Sequence, residues 1–445
     1  MPSPTLASTQ RTWELRPQSS EIAESLERET SLGPAAARVM AARGWDDIAA
    51  LTDFLTGGLS TLSDPLELPD MEIAVARLQR AIESGETICI CGDYDVDGTT
   101  GTALMLRALR WLGVEDVRHD TPHRVRDGYG IRPEAVDRLA DEGVKLIVTV
   151  DNGTTARAAL ERARERGIDV IVTDHHQVEE ALPPAVAVVN PWRPESQCSF
   201  PDLCGCALAF KLAQALIKSM GRTPEEAKPF LCSLLDLVAV ATVADIMPLR
   251  GENRAIVRYA LKNLADSQIV GLRALIAAAG VRDRLTADSF GWVLGPRLNA
   301  AGRTRHAAIA VDLLSTEDAA HAEHIAHQLE KLNTERRRIE ETIREQAFEE
   351  IAKHADDPVV VLARPDWHIG VLGIVASRVL ERVERPVILL TIEGEEARGS
   401  GRSMPGFNMH AALTACSEHL DSFGGHPMAA GLHCRAITPT SARST

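Results

Sequence analysis

Aromatic side chains are scarce in this sequence, at 4% of 445 residues. That excludes an extended aromatic platform of the kind single-strand readers use to stack bases, so any stacking must be limited or supplied elsewhere. Lysine is scarcer still: only 7 of the 48 basic residues are Lys, and the rest are Arg. Arginine grips phosphate oxygens bidentately, but a GC-rich coding sequence produces the same bias, so the imbalance alone does not indicate a nucleic-acid partner. The eight cysteines (Cys89, Cys91, Cys198, Cys204, Cys206, Cys232, Cys416 and Cys434) include no C-x-x-C pair and no zinc-finger spacing, and they read as small core residues. The opening MPSPTLASTQRTWELRPQ lacks an apolar run of signal-peptide length, and no stretch approaches the roughly 18 to 20 uncharged apolar residues of a membrane span. A cytoplasmic protein with no membrane partner is expected. Internal repeats and low-complexity segments are missing. A net charge of −15 argues against an evenly basic coat for nucleic acid, although clustered carboxylates can also form a divalent-cation site.

What is present is a chain that can bury a sizeable core, with 45% hydrophobic and 25% charged residues. Its length suggests two to four domains at roughly 100 to 200 residues each. Residues 1–70 read as a helical leader, since ESLERET, PAAARVMAARG and DDIAALTDFL carry apolar residues at helical spacing before the Pro/Asp-rich break SDPLELPD. From 71 to 316 the pattern alternates. The helix MEIAVARLQRAIESG precedes the strand TICICG, the loop GDYDVDG and the helix TTGTALMLRALRWLG. RPEAVDRLADEG then leads to KLIVTV, TARAALERARERG leads to DVIVT, and AVAVV follows. Short apolar strands alternating with helices predict an α/β fold whose parallel sheet is covered on both faces. After Asn190 the chain becomes more helical, interrupted by what reads as a loop at GPRLNAAGR. Residues 317–355 contain no Pro or Gly and predict one long helix joining two domains. Residues 356–432 start a second, smaller α/β unit at PVVVLA, GIVASRVLER and PVILLT. The ending HCRAITPTSARST has neither alternation nor a helical stripe, so 433–445 are expected to form a disordered tail.

The residues that can carry chemistry stand at strand ends. Asp93, Asp95 and Asp97 follow TICICG, Asp151 follows LIVTV, and Asp174 with His175 and His176 follows VIVT; Asp245 comes after the apolar run VAVATVA. Singly, each has an ordinary explanation, because D-x-D is usually a solvated Asx loop, adjacent His residues usually lie on the surface, and Asp-Asn-Gly is a common turn. Jointly those explanations weaken, since three successive strands of one unit would each have to end in acid by chance. Ligands of open parallel sheets bind outside the carboxyl ends of the strands, so the acids are expected to converge. Converging carboxylates repel one another unless cations neutralise them, and oxygen ligands with one or two imidazoles suit Mn²⁺ or Mg²⁺ better than a structural Zn²⁺. A nicotinamide-binding loop is set aside, because GDYDVDG is not G-x-G-x-x-G and puts acids where a pyrophosphate would sit.

The ordered set GDYDVDGTTGTA (92–103), VTVDNGTT (148–155), VTDHHQ (172–177) and VATVADIMPL (240–249) resembles the four motifs of the DHH phosphoesterase family. LGPRLNAAGR (294–303), GSGRSMPGFNMHAAL (399–413) and FGGHPMAAGL (423–432) resemble the remaining marks of its RecJ branch, the single-strand-specific 5′→3′ exonucleases. The resemblance spans about residues 40 to 432. It implies a parallel-sheet DHH domain joined by the long helix to a smaller, incomplete α/β DHHA1 domain, and hydrolysis of phosphodiester bonds in single-stranded DNA during repair and recombination. It also implies two divalent ions, Mn²⁺ first and Mg²⁺ as the alternative, held by Asp95, Asp97, Asp151, His175 and Asp245. Asp93 would be a supporting or water-mediated acid, Asp174 would orient the His pair, and His176 would face the scissile phosphate. Arg297, Asn299 and Arg303 would meet substrate from the Gly/Arg loop. Arg398, Ser400, Arg402, Ser403 and the Gly424-Gly425-His426 turn would bind the nucleic-acid end, where Gly-rich loops leave N–H groups free for phosphate. The implied partners are single-stranded DNA, a single-strand-binding protein and a RecQ-type helicase, with the chain itself a monomer.

Two departures from the family pattern stand out. Gly205-Cys206-Ala207 occupies a place where members often read GAG, a small-residue swap expected to change packing only. Members of the RecJ branch continue into the rest of DHHA1 and an oligonucleotide-binding barrel, so the chain reads as C-terminally truncated. An incomplete second sheet is then expected to present an unpaired edge, with weak, salt-sensitive DNA binding and a tendency to aggregate. The nearest rival is a DHH phosphodiesterase for short oligonucleotides or cyclic dinucleotides, or a pyrophosphatase; the leader, the long helix and GPRLNAAGR favour the RecJ branch. A non-catalytic single-strand-binding homologue is a rival of another class, opposed by the intact acids of all four motifs.

Overall fold

The computed structural model describes residues 14–435 apart from 15, 18, 125, 179–180, 282–284 and 355. The leader forms three short helices, α1 (Ser20–Glu29), α2 (Pro34–Ala42) and α3 (Ile48–Thr56), around a small core of Leu26, Ala37, Met40 and Leu51. It is tied to the body by Arg254, which donates to the Phe54 carbonyl (2.6 Å) and lies over the Phe54 ring at 3.7 Å.

Next come α4 (Met71–Glu83), β1 (Ile88–Gly92), α5 (Val96–Trp111), β2 (Val117–Asp120), α6 (Pro133–Asp141), β3 (Leu146–Val150), α7 (Arg157–Glu165), β4 (Asp169–Thr173), β5 (Ala187–Val189) and α8 (Gly205–Ser219). The strands form one parallel sheet in the order β2-β1-β3-β4-β5. Side chains alternate across it, as a period of two requires. Ile88, Ile90, Leu146 and Val148 pack with α4, α5 and α8, whereas Cys89, Cys91, Ile147 and Val170 pack with α6 and α7. Both faces are therefore dry, which explains why the strands read as continuous apolar runs.

The helical extension comprises α9 (Pro224–Ala244), α10 (Gly251–Asn263), α11 (Val270–Ala278), the single turn α12 (Ala287–Ser289), a π-helical turn at Phe290–Leu294, α13 (Gly295–Thr304) and α14 (Ala308–Ser315). By length and composition α9 is apolar enough to cross a membrane, but Lys228 and Asp236 interrupt its apolar run and its Leu234–Thr242 segment is buried against α5, α8 and α10. One expectation is corrected here. GPRLNAAGR is helix α13 and not a loop, because Pro296 sits in the first turn, where no N–H is needed, and Leu298, Ala300 and Ala301 are buried at helical spacing.

Helix α15 (Ala319–Ile351) is N-capped by Asp318, which accepts from the N–H groups of Ala320 and His321. Its first half gives Ala322, Ile325, Ala326, Leu329 and Leu332 to the main core, and its second half gives Ile343, Ala347 and Ile351 to the core of the second domain. That domain contains β6 (Val360–Arg364), α16 (Ile369–Val383), β7 (Val387–Glu393), β8 (Glu396–Arg402), α17 (Met409–Ala415), β9 (Ser422–His426) and β10 (Ala429–Arg435). Its sheet runs β6-β7-β8-β10-β9, parallel only at β6 and β7. The fold is thus α/β, a parallel-sheet domain joined by a long helix to a smaller mixed-sheet one.

Three further expectations are corrected in this sheet. GSGR is strand β8, and the Gly424-Gly425-His426 turn is part of strand β9. β10 continues through Arg435, past the expected start of a tail at 433, while residues 436–445 of that expectation lie outside the described residues. Strands β8, β10 and β9 cover the edge of β7 that was expected to be open.

Candidate metal centre

β1, β3 and β4 end in register, Gly92 opposite Val150 and Val150 opposite Thr173. The ladder runs one residue further, with the Asp93 N–H donating to Val150 (3.2 Å), Asp151 to Thr173 (3.0 Å) and Asp174 to Val189 (3.2 Å). Three acids therefore stand side by side where the strands stop. The chain leaves β1 for β2 on one side and returns to β3 on the other, which makes this edge a topological switch point. Helix α5 begins at once: Asp95 caps it by accepting from the Gly98 N–H (3.2 Å), and Asp97 lies in its first turn. A Cβ on Gly98 would fall 2.5 Å from the Asp93 backbone, so only glycine lets the helix start this close to the strand. Asp151 holds a left-handed φ of 63°, and Ile246, directly after Asp245, one of 58°; strain of this kind costs about 1–3 kcal/mol per residue and clusters at functional sites.

His175 gathers the acids from three motifs. Its Nε2 lies 3.1 Å from Asp151 Oδ1, 3.6 Å from Asp245 Oδ2 and 3.7 Å from Asp97 Oδ2. Three sets of ligating atoms, Asp97–His175–Asp245, Asp151–His175–His176 and Asp93–Asp95–Asp151, each lie within 4.8 Å of one another. The electrostatics fit cations. Burial, with neighbouring acids adding to it, pushes the Asp93 and Asp151 carboxyls far above the usual range; burial also raises Asp97, and it carries Asp245 up to about 8. Carboxyls in this state repel one another when ionised and are relieved by a divalent charge, and a mainly oxygen donor set suits Mn²⁺ or Mg²⁺.

Other groups fix the ligands in place. Asp97 accepts from the Gly205 N–H (2.6 Å) and the Cys206 N–H (2.7 Å) at the start of α8, so the main chain of this segment holds an acid of the cluster. Asp174 accepts from His176 Nδ1 (2.8 Å) and from the Thr154 N–H (2.9 Å). Burial alone would raise Asp174 and lower His176; their mutual bond outweighs it, holding the carboxyl low and lifting the imidazolium to about 9. Tyr129 donates to the Asp151 carbonyl (2.8 Å) and lies 3.0 Å from His176 Nδ1; burial keeps its phenol neutral. Asn190 donates to the His176 carbonyl (2.9 Å). Sequence reasoning missed Gly205, Cys206, Tyr129 and Asn190; the one available signal was Tyr129 set between two glycines.

A cavity of about 500 Å³ between the two domains is lined by Tyr94, Arg124, Trp292, Arg303, Ser400 and Arg402. Arg303 donates to the Gly370 carbonyl (3.0 Å); burial, with Arg124, Arg336 and Arg402 nearby, lowers it to about 9. Arg402 donates to Ser400 Oγ (2.9 Å) and is lowered by burial and by Arg124, whose guanidinium lies 4.5 Å from the Tyr94 ring centre. Cations depressed by burial and by neighbouring cations, as Arg303 and Arg402 are, are relieved by an anion.

The remaining expected residues are elsewhere. Arg398 shares the β8 face of Ser400 and Arg402 but pairs with Glu396 (3.1 Å). Arg297 is 6% exposed and faces inward to Glu330 (2.5 Å). Asn299 Oδ1 is buried with no partner among the described residues. Ser403 is buried and donates to the Phe407 carbonyl (2.7 Å). Gly424, Gly425 and His426 lie on β9, separated from β8 by β10, and do not line the cavity.

Comparison with known proteins agrees with this arrangement. Residues 87–242 match the DHH family, N-terminal domain, and residues 356–438 match the DHHA1 domain. The chain is similar to the single-stranded-DNA-specific exonuclease RecJ of Bacillus subtilis, 38% identical over 99% of this chain and 55% of that protein. To the protein of the same name from Dickeya dadantii it is 41% identical, over 89% of this chain and 71% of that one. The crystal structure of RecJ in complex with Mn²⁺ from Thermus thermophilus matches with a TM-score of 0.80 at 34% identity, covering 93% of this chain and 58% of that one. The chain thus spans little more than half the length of the Bacillus and Thermus proteins.

Proposed function

The chain belongs to the RecJ family of DHH proteins, and from that premise we propose that it is a divalent-metal-dependent exonuclease that degrades single-stranded DNA from the 5′ end, in repair and recombination. The observation that carries this reading is the arrangement of an acid-lined sheet edge beside an arginine-lined cavity between two domains that share one helix. Asp95, Asp97, Asp151, His175 and Asp245 would hold two divalent ions, Mn²⁺ first and Mg²⁺ second, whose chemistry is to activate water and neutralise charge on the phosphate. Asp93 supports this set from the strand end, bonded to the Gly130 N–H (3.2 Å). His176 keeps its proton through neutral pH and can donate it in a hydrogen bond to a phosphate oxygen, with Asp174 as its positioning residue. Arg124, Arg303, Ser400 and Arg402 would grip the terminal phosphate, which is what gives a polarity. A narrow groove between the domains would admit one strand where a duplex would not thread. Single-strand-binding protein and a RecQ-type helicase are the partners this reading carries, for a cytoplasmic monomer.

The test is a single-stranded oligonucleotide labelled at one end or the other, incubated with Mn²⁺ or with chelator. Label at the 5′ end should be released first with Mn²⁺ and never with chelator, and blunt duplex should survive. Release from the 3′ end, or equal digestion of blunt duplex, overturns the reading.

A further inference from the structure

Two large apolar side chains stand largely in solvent. Among the described residues the most exposed large hydrophobics are Ile246 (89%) and Trp292 (69%). Both grow from irregular backbone beside the acid cluster. Ile246 follows Asp245 at a φ of 58°, a genuine outlier for a β-branched residue. Trp292 is the middle residue of the π-helical turn Phe290–Leu294, a geometry found frequently at functional sites. That turn seats on the end of α9: the space beside Gly291 is bounded by Val243, and that beside Gly295 by Ala244. Trp292 is therefore anchored to the helix end that presents Asp245 and Ile246, while its side chain lines the arginine cavity. In a protein with 4% aromatics, a solvent-exposed indole among guanidinium groups is placed where a base would lie.

We propose that Trp292 stacks on a nucleobase of the bound strand and that Ile246 packs against a base on the metal side. This rests on the single-strand reading above and adds the contact that holds the bases, where the arginines hold the phosphates. Stacking of this kind is indifferent to sequence, because every base has a π face. The charge of the cavity favours nucleic acid over an apolar peptide as the occupant.

The test compares a 5′-phosphorylated single strand with one of equal length whose first three nucleotides are abasic. Trp292→Ala should raise KM about tenfold on the intact strand with kcat within about twofold, and Trp292→Phe should stay within about threefold. Ile246→Asn, which keeps a residue that accepts the left-handed backbone, should raise KM severalfold. On the abasic strand Trp292→Ala should add nothing. Equal losses on both strands would mean a structural role and overturn the proposal. A second measurement does not need turnover: with chelator present, the intact strand should quench tryptophan fluorescence, and Trp292→Phe should remove that quench. Quenching that is equal for the abasic strand, or unchanged in Trp292→Phe, overturns the stacking. Absence of turnover in the unaltered protein defeats the exonuclease reading instead, and the quench still decides this one.

Discussion

The substitution Gly205→Ala adds a single methyl group and should disable the site. Gly205 opens α8, where its N–H and that of Cys206 hold the two oxygens of Asp97 at 2.6 and 2.7 Å. A Cβ at this position would lie 2.6 Å from Asp151 Cβ, 2.8 Å from its Cα and 3.0 Å from its N. Ordinary contact begins near 3.4 Å, so the helix start and the end of β3 must part by about 0.8 Å. None of the three atoms is the far end of a flexible side chain, so backbone has to move, carrying Asp97 away from Asp151. Metal–ligand distances tolerate about 0.2 Å, and a misplacement of about 1 Å near the reacting atoms costs on the order of 100-fold in rate. The overpacking itself costs about 1–3 kcal/mol. The expected result is a fall in kcat/KM of about 100-fold and an upward shift of the Mn²⁺ midpoint of about tenfold, in a protein that remains folded. Cys206→Ala is the control, because it keeps the N–H and removes only a buried thiol. Titrating turnover of a labelled single strand against Mn²⁺, alongside thermal melts, reads all of these quantities. A Gly205→Ala protein with turnover and Mn²⁺ midpoint within twofold of the unaltered one would refute the argument.

Removing one acid of the cluster, as in Asp97→Ala or Asp245→Ala, should reduce turnover by about 1,000-fold or more, while the metal-free Asp245→Ala protein melts at the same temperature or higher, since carboxylate repulsion is relieved, and Asp97→Ala melts lower because it leaves the Gly205 and Cys206 N–H groups unpaired; undiminished phosphodiesterase activity in either variant contradicts the metal assignment. Arg402→Ala and Arg124→Ala should each raise KM about tenfold with little change in kcat, and unchanged KM would assign both to the surface. Without metal, stability should fall as pH rises from 5 to 8.5. The sign follows because the Asp245 carboxyl, lifted to about 8, binds a proton that the unfolded chain releases near 4; its contribution is full below that value and lost through 8. His176, lifted to about 9, acts in the same direction. Melting with chelator across this window should slope less in Asp245→Asn, and a slope of the opposite sign refutes the account.

The acid-bearing strand ends were legible in the sequence because their signals are local: alternation places the strands, and the β–α order decides which end faces the crevice. The Gly205 and Cys206 donors were not, since they are main-chain groups separated by 108 and 109 residues from the carboxylate they hold, and side-chain type says nothing about them. Residue type also misled. Arg297 reads as a phosphate ligand until Glu330 on α15 is found opposite it. Glycine and proline misled in another way. Gly302 is required where a Cβ would lie 2.9 Å from the Tyr94 carbonyl, so a breaker sits inside a helix because it packs closely. Gly399 and Gly401 face Leu389 and Met409 with no room for a Cβ, leaving Arg398, Ser400 and Arg402 on the other face of β8. A Gly-rich stretch that reads as a loop is thus a strand with one face pressed flat.

The net charge of −15 and the proposed DNA partner are reconciled by where the charges lie. The acids of the cluster stand at one sheet edge, and divalent ions would convert that edge from repelling to attracting phosphate. Arg303 and Arg402, depressed by burial and by neighbouring cations, stand in the cavity beside it. Neither half would suffice alone, because the acids without cations repel the scissile phosphate of a strand that the arginines still hold, and the arginines without acids hold a strand that nothing cuts. Arg124 and Arg303 belong to the domain that carries the acids, whereas Ser400 and Arg402 are placed by α15, which is part of both cores and at 33 residues spans about 50 Å as a single rigid element. A flexible linker would let the phosphate grip wander relative to the metals; a helix buried at both ends cannot. The distance from the gripped terminus to the acid cluster is therefore a property of the fold, and it is that fixed distance, more than any one contact, that would make cleavage start at an end.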